Sequence, residues 1–273
     1  MTRKFVLYLI LAALAVFTAF PFLWTLLVSL KTRGPIFSIP PDLSLTGLSL
    51  ANYAGVWKTL PLPRYALNSL YIAAMGVGLT LIICSLAAYP LARMRFPAAG
   101  LLAISVAVAY LVPQTLLFVP MADLINRMKL GDSLSAVMLT YPTLLVPFCA
   151  WLLIGYFKTV PRELEEAALI DGASRWRAMT RVILPLCTPG FLSAGIFAFT
   201  LAQNEFLYAL LFLNTSTIRT VPVGVTGELI RGDAFYWGQL MAAALLGSLP
   251  VVLIYSFFVK YYVAGLTAGS VKG

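Results

Sequence analysis

The segment PRELEEAALIDGASRWRAMTRVILPLCTPG, residues 161–190, lies between two long apolar stretches and carries charges in a pattern typical of two short helices. Pro161 suits a first helical turn, because a missing N–H costs nothing there. The glutamates that follow it place negative charge near the positive end of the helix dipole. The pattern therefore predicts a helix that begins near Val160.

The same segment contains the signals that end this helix and start a second one. Gly172 is the residue type that most often takes the left-handed position after a helix, and Ser174 is a favoured N-cap. Leu164, Ala167 and Ala168 share one face of the first helix, and the two alanines keep that face flat enough for close docking. We therefore predict an amphipathic hairpin, which two prolines end before the next apolar stretch.

Composition indicates that the rest of the chain lies in a bilayer. Hydrophobic residues make up 61% and charged residues 11% of the 273 residues, and the mean hydropathy is +0.92. A soluble domain cannot bury that much apolar surface. Six windows are each long enough for the roughly 20 apolar residues of a membrane-spanning helix: 5–30, 65–92, 96–122, 133–157, 182–218 and 234–259. Six spans place both termini on one side.

Orientation follows from the basic residues in the loops. With cytoplasmic termini, eleven Lys and Arg lie inside and eight outside. The short loops decide, since Arg93, Arg95 and the segment 161–190 then all fall inside. The net charge of +9 indicates attraction to anionic lipid, and nucleic acid is not expected as a partner. The N-terminal apolar stretch exceeds a signal-peptide core, so an uncleaved first helix is favoured over a cleaved signal.

Missing residue types exclude several kinds of chemistry. The chain has no histidine, which excludes His-based acid–base catalysis and His–metal ligation. It has no Gly-Lys-Ser/Thr sequence, so it carries no P-loop. Its three cysteines are widely spaced and suggest neither a disulfide framework nor a metal site. We expect no cofactor, no metal, no catalytic residues and no enzymatic activity, and any ATP must bind to another chain.

Three short motifs in the segment resemble the EAA loop of ABC importer permeases: Glu166-Ala167-Ala168, Asp171-Gly172-Ala173 and Ile183-Leu184-Pro185. In that family the loop is the coupling helix, which sits in a cleft of the cytoplasmic ATPase. The alternative is a hairpin that rests on lipid headgroups without a partner. The resemblance implies these ATPase-coupling residues: Glu165, Glu166, Ala167, Ala168, Asp171, Gly172, Ala173, Ile183 and Pro185.

The wider chain resembles permeases of the carbohydrate-uptake group, of the maltose and glycerol-3-phosphate type. The motifs are VPQT at 112–115, LGD at 130–132, VPREL at 160–164, NEFL at 204–207 and the ending GLTAGSVKG at 265–273, typical of the shorter second permease of a pair. Ala202 and Gln203 depart from the pattern, because many relatives have Trp there. The resemblance covers residue 65 to the C-terminus closely and the first span only loosely.

This resemblance implies an all-α integral membrane protein with the type I ABC importer permease fold, cytoplasmic termini and amphipathic coupling helices between spans four and five. It implies a bacterial or archaeal plasma membrane and a sugar or sugar-like solute. The implied partners are a second homologous permease, two cytoplasmic ABC ATPase subunits, an extracytoplasmic solute-binding protein and membrane lipid. The resemblance implies three divisions of the chain. They are the first transmembrane helix with its outer loop at 1–64, a permease core at 65–260 with the coupling loop at 158–189, and a cytoplasmic tail at 261–273.

The loops and the tail carry further expectations. Residues 32–64 and 214–235 are polar and rich in Gly, Pro and Thr, so we expect them to be exposed at the outer face. By resemblance they meet the binding protein, or they simply cap the bundle. Residues 266–273 enter the ATPase interface in similar permeases, or form a disordered end.

Glu205 is an acidic residue within a predicted span, which is costly and by default suggests function. It either lines a sugar pathway, or forms a helix–helix hydrogen bond or reaches a wet surface. Polar and aromatic groups suit a sugar, since its hydroxyls need hydrogen bonds and its faces stack on rings. The substrate-path candidates are Tyr110, Gln114, Tyr141, Asn204, Glu205 and Tyr208. The alternative function is a secondary transporter or channel that uses Glu205 as a proton or cation site.

Overall fold

The computed structural model describes residues 2–31, 44–232 and 234–268. Nearly all of them are helical, in the order α1 Thr2–Leu30, α2 Ala51–Thr59, α3 Leu62–Arg93, α4 Ala99–Ala109, α5 Phe118–Arg127, α6 Leu134–Thr159, α7 Arg162–Ile170, α8 Arg175–Ala178, α9 Leu184–Leu186, α10 Thr188–Asn204, α11 Leu207–Phe212, α12 Val221–Leu229 and α13 Trp237–Ala268. The strands β1 Ile230–Arg231 and β2 Ala234–Phe235 form a small antiparallel hairpin.

Four helices within the described residues are long and apolar enough to cross a membrane. They are α1, α3, α6 and α13, and they match four of the six predicted spans. Two bent helix pairs bring the number to six when each pair counts as one span. The all-helical, multi-span class predicted from composition is therefore confirmed.

The third predicted span, 96–122, is wrong as a continuous helix. The chain bends by 96° between α4 and the segment Gln114–Arg127. Proline has no backbone N–H and disfavours helical backbone at the residue before it, so Pro113 ends the helix. A 3₁₀ turn, Gln114–Leu117, then leads into α5. With 11 residues, α4 is only about 16 Å long, too short to span a bilayer alone.

The fifth predicted span, 182–218, is also interrupted. The segment Arg175–Leu186 and α10 meet at an angle of 75°, where Cys187 leaves the helical conformation. A second break follows α10, where Glu205 is extended and Phe206 is the N-cap residue that precedes α11. Non-helical backbone at membrane depth is tolerated only where protein or a cavity surrounds it.

The chain divides into two compact units, of which the first comprises Met1–Ala66 and Val221–Pro250. Its core contains Val56, Leu60, Tyr65, Leu229 and Ala242. The end of α1 is tied to α2 because Asn52 Nδ2 donates to the carbonyls of Ser29, at 2.9 Å, and Lys31, at 2.8 Å. The rest of α1 is exposed along its apolar length.

The second unit comprises Leu67–Thr220 and Val251–Gly273. α6 lies at its centre, with Tyr141, Leu145, Cys149, Leu153 and Phe157 buried. α4, α10 and α11 pack against α6. This unit contains the segment 161–190 and all six substrate-path candidates.

The two segments that we expected at the outer face, 32–64 and 214–235, differ in part from the exposure that composition predicted. Within 214–235, α12 is apolar and buries Val223, Val225 and Leu229, because its side chains join the core of the first unit. Of the first loop, residues 32–43 lie outside the described residues. α13 continues to Ala268, and the end of the predicted tail, 269–273, lies outside the described residues.

Candidate functional site

The surface hairpin, residues 162–178, consists of α7, a tight turn and α8. The amide of Ala173 donates to the carbonyl of Ala168 at 3.0 Å, and that of Gly172 to Leu169 at 3.1 Å. Gly172 has φ +82°, which only glycine adopts without strain. This pair of bonds around a left-handed glycine is the Schellman motif, and it confirms the predicted end of the helix.

The second half of the hairpin begins as predicted at Ser174, whose hydroxyl accepts a hydrogen bond from the amide of Arg177 at 3.3 Å. After one turn of α8 the backbone widens into a π-helical turn at Met179–Ile183. Single π turns are rare and are frequently found at functional sites. This turn lies between the hairpin and α9.

One face of the surface hairpin, which we call its outer face, exposes large apolar side chains although the hairpin lies outside the apolar spans. Ile170 is 86% exposed and Trp176 is 62% exposed, and Leu164 is also exposed. Ala167 is exposed as well. Exposed clusters of large apolar side chains mark interaction sites more often than isolated ones do.

The inner face of the hairpin is fixed by a buried ion pair. Glu165 accepts a hydrogen bond from the hydroxyl of Tyr89 through Oε1 and from Arg93 Nε through Oε2, at 2.8 Å. The side chains of Arg93 and Glu165 are 2% and 9% exposed. We refer to Tyr89, Arg93 and Glu165 as the buried clamp.

Arg93 also holds the linker between α6 and α7. Its Nη1 donates to the carbonyls of Val160, at 2.6 Å, and Phe157, at 3.3 Å, and its Nη2 donates to that of Pro161, at 3.2 Å. The planar guanidinium presents donors in several directions, which suits this arrangement. One side chain therefore satisfies carbonyls that the end of α6 leaves without helical partners.

The structure places the predicted coupling residues at three depths. Glu166, Ala167, Asp171, Gly172 and Pro185 are exposed, Ala168 and Ala173 are half-buried, and Glu165 and Ile183 are buried. Tyr89 and Arg93 are not among the site residues predicted from the sequence, where Arg93 indicates only the orientation of its loop. The available signal was their i, i+4 spacing at the end of an apolar span.

Glu205 lies at the break between α10 and α11 and caps the second of them. Its carboxylate accepts hydrogen bonds from the amides of Tyr208, at 2.7 Å, and Ala209, at 3.1 Å. These amides belong to the first turn of α11, where N–H groups have no helical acceptor. The negative charge also faces the positive end of the helix dipole. The carboxylate therefore caps the helix that follows it in the chain. None of the roles predicted for Glu205 from the sequence includes such a cap.

Two tyrosines lie near this break. The buried Tyr141 donates its hydroxyl to the carbonyl of Ala202 at 3.0 Å, which ties α6 to the end of α10. The ring of Tyr208 stacks with Phe118, at a centroid distance of 6.5 Å, and with Phe212, at 6.2 Å. The amide of Tyr208 donates to the carboxylate of Glu205, and Tyr141 is bonded to Ala202, three residues before Glu205. These three candidates are therefore brought together.

The other path candidates are not part of that group. Tyr110 is exposed and its ring lies 5.7 Å from that of Phe148. Gln114 is exposed at the start of the 3₁₀ turn. Asn204 is exposed and donates to the carbonyl of Thr200 within its own helix at 2.8 Å.

A turn before α6 is fastened to the segment after α11. Asp132, at φ +52°, accepts hydrogen bonds from the amides of Asn214, at 2.9 Å, and Thr215, at 3.0 Å, and from the hydroxyl of Thr215. The bonds from Thr215 and then Asn214 hold the pKa of Asp132 below its ordinary value. The carboxylate is therefore ionised at neutral pH, and its hydrogen bonds join this turn to the segment after α11.

The described residues contain no cluster of three or more His, Cys, Asp or Glu side chains that could hold a metal ion. Cys84, Cys149 and Cys187 are free thiols, and all three are buried.

Comparison with known families gives one model that spans almost the whole chain. Residues 2–267 match the model described as binding-protein-dependent transport system inner membrane component.

Curated relatives extend over a similar length. The chain is 38% identical over 255 residues to a sulfoquinovosyl glycerol transport system permease of Agrobacterium fabrum, covering 93% of this chain and 89% of that one. It is 38% identical over 263 residues to a trehalose/maltose transport system permease of Thermococcus litoralis, covering 95% and 94%. A diacetylchitobiose uptake system permease of Streptomyces coelicolor is 31% identical, covering 93% and 92%.

A solved structure shares the fold. It is a chain of a bacterial ABC transporter involved in the import of the acidic polysaccharide alginate, with a TM-score of 0.78 at 17% identity, covering 96% of each chain.

Proposed function

The chain belongs to the family of inner-membrane components of binding-protein-dependent transport systems, and on that premise we propose that it is a permease subunit of an ATP-driven ABC importer. It carries a sugar or sugar-like solute, of the oligosaccharide, disaccharide or glycerol-phosphate type, from an extracytoplasmic binding protein into the cytoplasm. The chain itself does not hydrolyse ATP, and a separate ATPase does so. Membership of this family places it in the plasma membrane as a multi-pass protein.

The observation that carries the proposal is the surface hairpin with its two unlike faces. Its outer face exposes Leu164, Ile170 and Trp176, and its inner face is tied to the long apolar helices by the buried clamp. An ATPase that docks on the outer face therefore moves a segment that is connected to α3 and α6. We propose six spans, with α4–α5 and α8–α10 each counting as one, cytoplasmic termini, and the hairpin between spans four and five.

The solute class rests on the relatives and on the polar break after α10. The curated relatives carry names of transport systems for sulfoquinovosyl glycerol, trehalose/maltose and diacetylchitobiose. Around the break, the tyrosines near Glu205 combine rings and hydroxyls, a pairing that suits a sugar. We propose that Tyr141, Glu205 and Tyr208 lie along the path, with Tyr110, Gln114 and Asn204 as further contacts.

The proposed partners are a second homologous permease, two cytoplasmic ABC ATPase subunits, an extracytoplasmic solute-binding protein and membrane lipid. A second solved structure with the same fold is described as an alginate ABC transporter in complex with a periplasmic protein bound to an alginate pentasaccharide. The loop after α11, fastened through Asp132, is the surface that we assign to the binding protein.

Changes to the turn of the hairpin test this proposal. Gly172→Pro cannot adopt φ +82° and loses the amide that donates to Leu169. Ala168→Arg places a bulky charge on the docking face. We expect the parent chain to co-purify with an ATPase and a second permease, and both variants to abolish solute uptake and weaken co-purification. Ser174→Thr keeps the N-cap and is the control, for which uptake stays unchanged. A parent chain that transports solute when purified alone contradicts the proposal.

Glu205→Ala tests the alternative of an ion-coupled transporter. We expect the loss of the cap to lower the free energy of unfolding by about 1 kcal/mol, measured by SDS titration in mixed micelles. Glu205→Gln retains one oxygen acceptor, so we expect a smaller loss. In vesicles, uptake by either variant still requires ATP and does not respond to a proton gradient. Uptake driven by that gradient in the parent and lost in Glu205→Gln supports the alternative instead.

A further inference from the structure

We infer that Arg93 and Glu165 are positioning residues that make the surface hairpin move as one body with the ends of α3 and α6. The inference rests on the proposed function, because it concerns how motion of the hairpin reaches the membrane helices. It assigns the buried clamp a role in the efficiency of coupling, separate from the docking of the ATPase.

The covalent connection between α6 and α7 is short. α6 ends at Thr159 and α7 begins at Arg162, so only Val160 and Pro161 join them. Both linker residues are extended, with ψ of 129° and 137°. An extended two-residue linker transmits a pull along its length, but it allows a helix of nine residues to rotate about it.

The buried clamp removes this freedom of α7 to rotate about the linker. Arg93 is the last residue of α3. Its guanidinium contacts the carbonyls of Phe157, Val160 and Pro161 and the carboxylate of Glu165. These acceptors belong to α6, the linker and α7. A single guanidinium therefore fixes the angle between three helices, and Tyr89 adds a second bond from α3 to the same carboxylate.

The buried clamp holds only one face of α7. Glu165 is buried, whereas its neighbours Glu163 and Glu166 on the same helix are exposed. The anchored face and the exposed docking face are therefore different sides of α7. A partner bound to Leu164 and Ile170 does not compete with the clamp.

Stability alone is a weak reason for this arrangement. A buried ion pair is often no more stabilising than apolar residues of the same volume, because both charges lose their hydration. Its distinctive property is directional: the hydrogen bonds hold one relative orientation of the helices. That property suits an element that transmits force.

The first experiment uses the full chain alone and does not depend on any partner. Spin labels at Lys158→Cys and Ile170→Cys report the distance between the end of α6 and the end of α7, both sites being exposed and the native cysteines buried. We expect a single narrow distance distribution in the parent and a clearly broader one after Glu165→Ala. Glu163→Gln removes a charge from the exposed side of the same helix and leaves the distribution narrow. A narrow distribution in Glu165→Ala overturns the inference.

The second experiment uses the assembled importer in proteoliposomes with its ATPases, second permease and binding protein. We expect Glu165→Ala to hydrolyse ATP in the bound complex while the solute imported per ATP falls about tenfold, within the usual range of coupling between sites. Tyr89→Phe keeps the ion pair and gives a smaller fall. An importer with Glu165→Ala that assembles normally and keeps the parent ratio of solute to ATP contradicts the inference.

The two experiments separate failure of the inference from failure of the proposed function. If the parent chain binds no ATPase, the proposed function fails, and the spin-label distances still report whether the clamp orders α7. If Glu165→Ala does not fold, Glu165→Gln takes its place, because it keeps the side-chain volume and one oxygen for Arg93. An unchanged solute-to-ATP ratio together with unchanged distances in Glu165→Gln then rejects the role of the ionic clamp.

Discussion

Arg93→Ala lowers the free energy of unfolding of the purified chain by about 3–5 kcal/mol, the usual loss when one partner of a buried ion pair is removed. The variant leaves the carboxylate of Glu165 buried with the hydroxyl of Tyr89 as its remaining neutral donor. It also removes the guanidinium donors to the carbonyls of Phe157, Val160 and Pro161. SDS titration of the chain in mixed micelles measures the change.

Two matched variants separate the clamp from a general effect of charge. Arg95→Ala removes the same charge two residues later from an exposed position, so we expect a change within about 0.5 kcal/mol. Arg93→Lys restores the charge but not the planar fork of donors, so we expect only part of the stability to return. Equal losses for Arg93→Ala and Arg95→Ala show that the contacts of the clamp do not stabilise the fold.

The sequence predicts the hairpin well because its determinants are local. Gly172 ends α7 in the left-handed conformation, and Ser174 caps α8, each through bonds to residues within five positions. The helix start was nearly right: Pro161 precedes α7 as its N-cap instead of occupying its first turn. Residue type and spacing carry this information without any knowledge of distant neighbours.

The buried clamp could not be predicted in the same way. Arg93 and Glu165 are 72 positions apart, and neither residue carries a sign of the other in its local sequence. Three similar glutamates occupy the start of α7, and only the packing of α7 against α3 determines that Glu165 is the buried one. Burial of one charge among several is decided by tertiary structure.

The breaks in the third and fifth spans show a related limit. Apolar content identifies a segment that prefers lipid, but it does not report whether the backbone stays helical within it. Pro113 marks the first break, whereas Pro90, Pro142 and Pro250 lie inside continuous helices. The break between α10 and α11 lies at Glu205, whose carboxylate caps α11. Hydropathy therefore predicts the apolar segments, and particular prolines and polar contacts coincide with the breaks in their helices.

Close packing between α3 and α6 gives the second large expected effect. A Cβ atom on Gly76 would lie 2.7 Å from Cδ2 and 3.1 Å from Cβ of Tyr141. Tyr141 is 1% exposed, and its hydroxyl is held by the carbonyl of Ala202. Rotation of the ring could move Cδ2, but Cβ of Tyr141 moves only with the backbone of α6, so the contact with Cβ remains. We expect Gly76→Ala to lower the free energy of unfolding by about 1–3 kcal/mol, as overpacking in a dense core does.

Gly78, two residues further along α3, is the matched control. A Cβ atom there meets nothing within 4 Å. Since alanine favours a helix over glycine by up to about 1 kcal/mol, Gly78→Ala should leave stability unchanged or raise it. The two variants thus make the same chemical change in the same helix, and only Gly76→Ala is expected to destabilise the fold.

A double variant identifies Tyr141 as the cause of the loss at Gly76. Tyr141→Ala alone removes a buried ring and should cost about 3–5 kcal/mol. In its presence the methyl group of Gly76→Ala enters the space that the ring leaves, so the two losses should fall short of their sum by about 1 kcal/mol or more. Strict additivity places the strain elsewhere in α3. A shortfall shows that the methyl group at residue 76 is strained against the side chain of Tyr141, and that α3 and α6 pack this closely because residue 76 has no side chain.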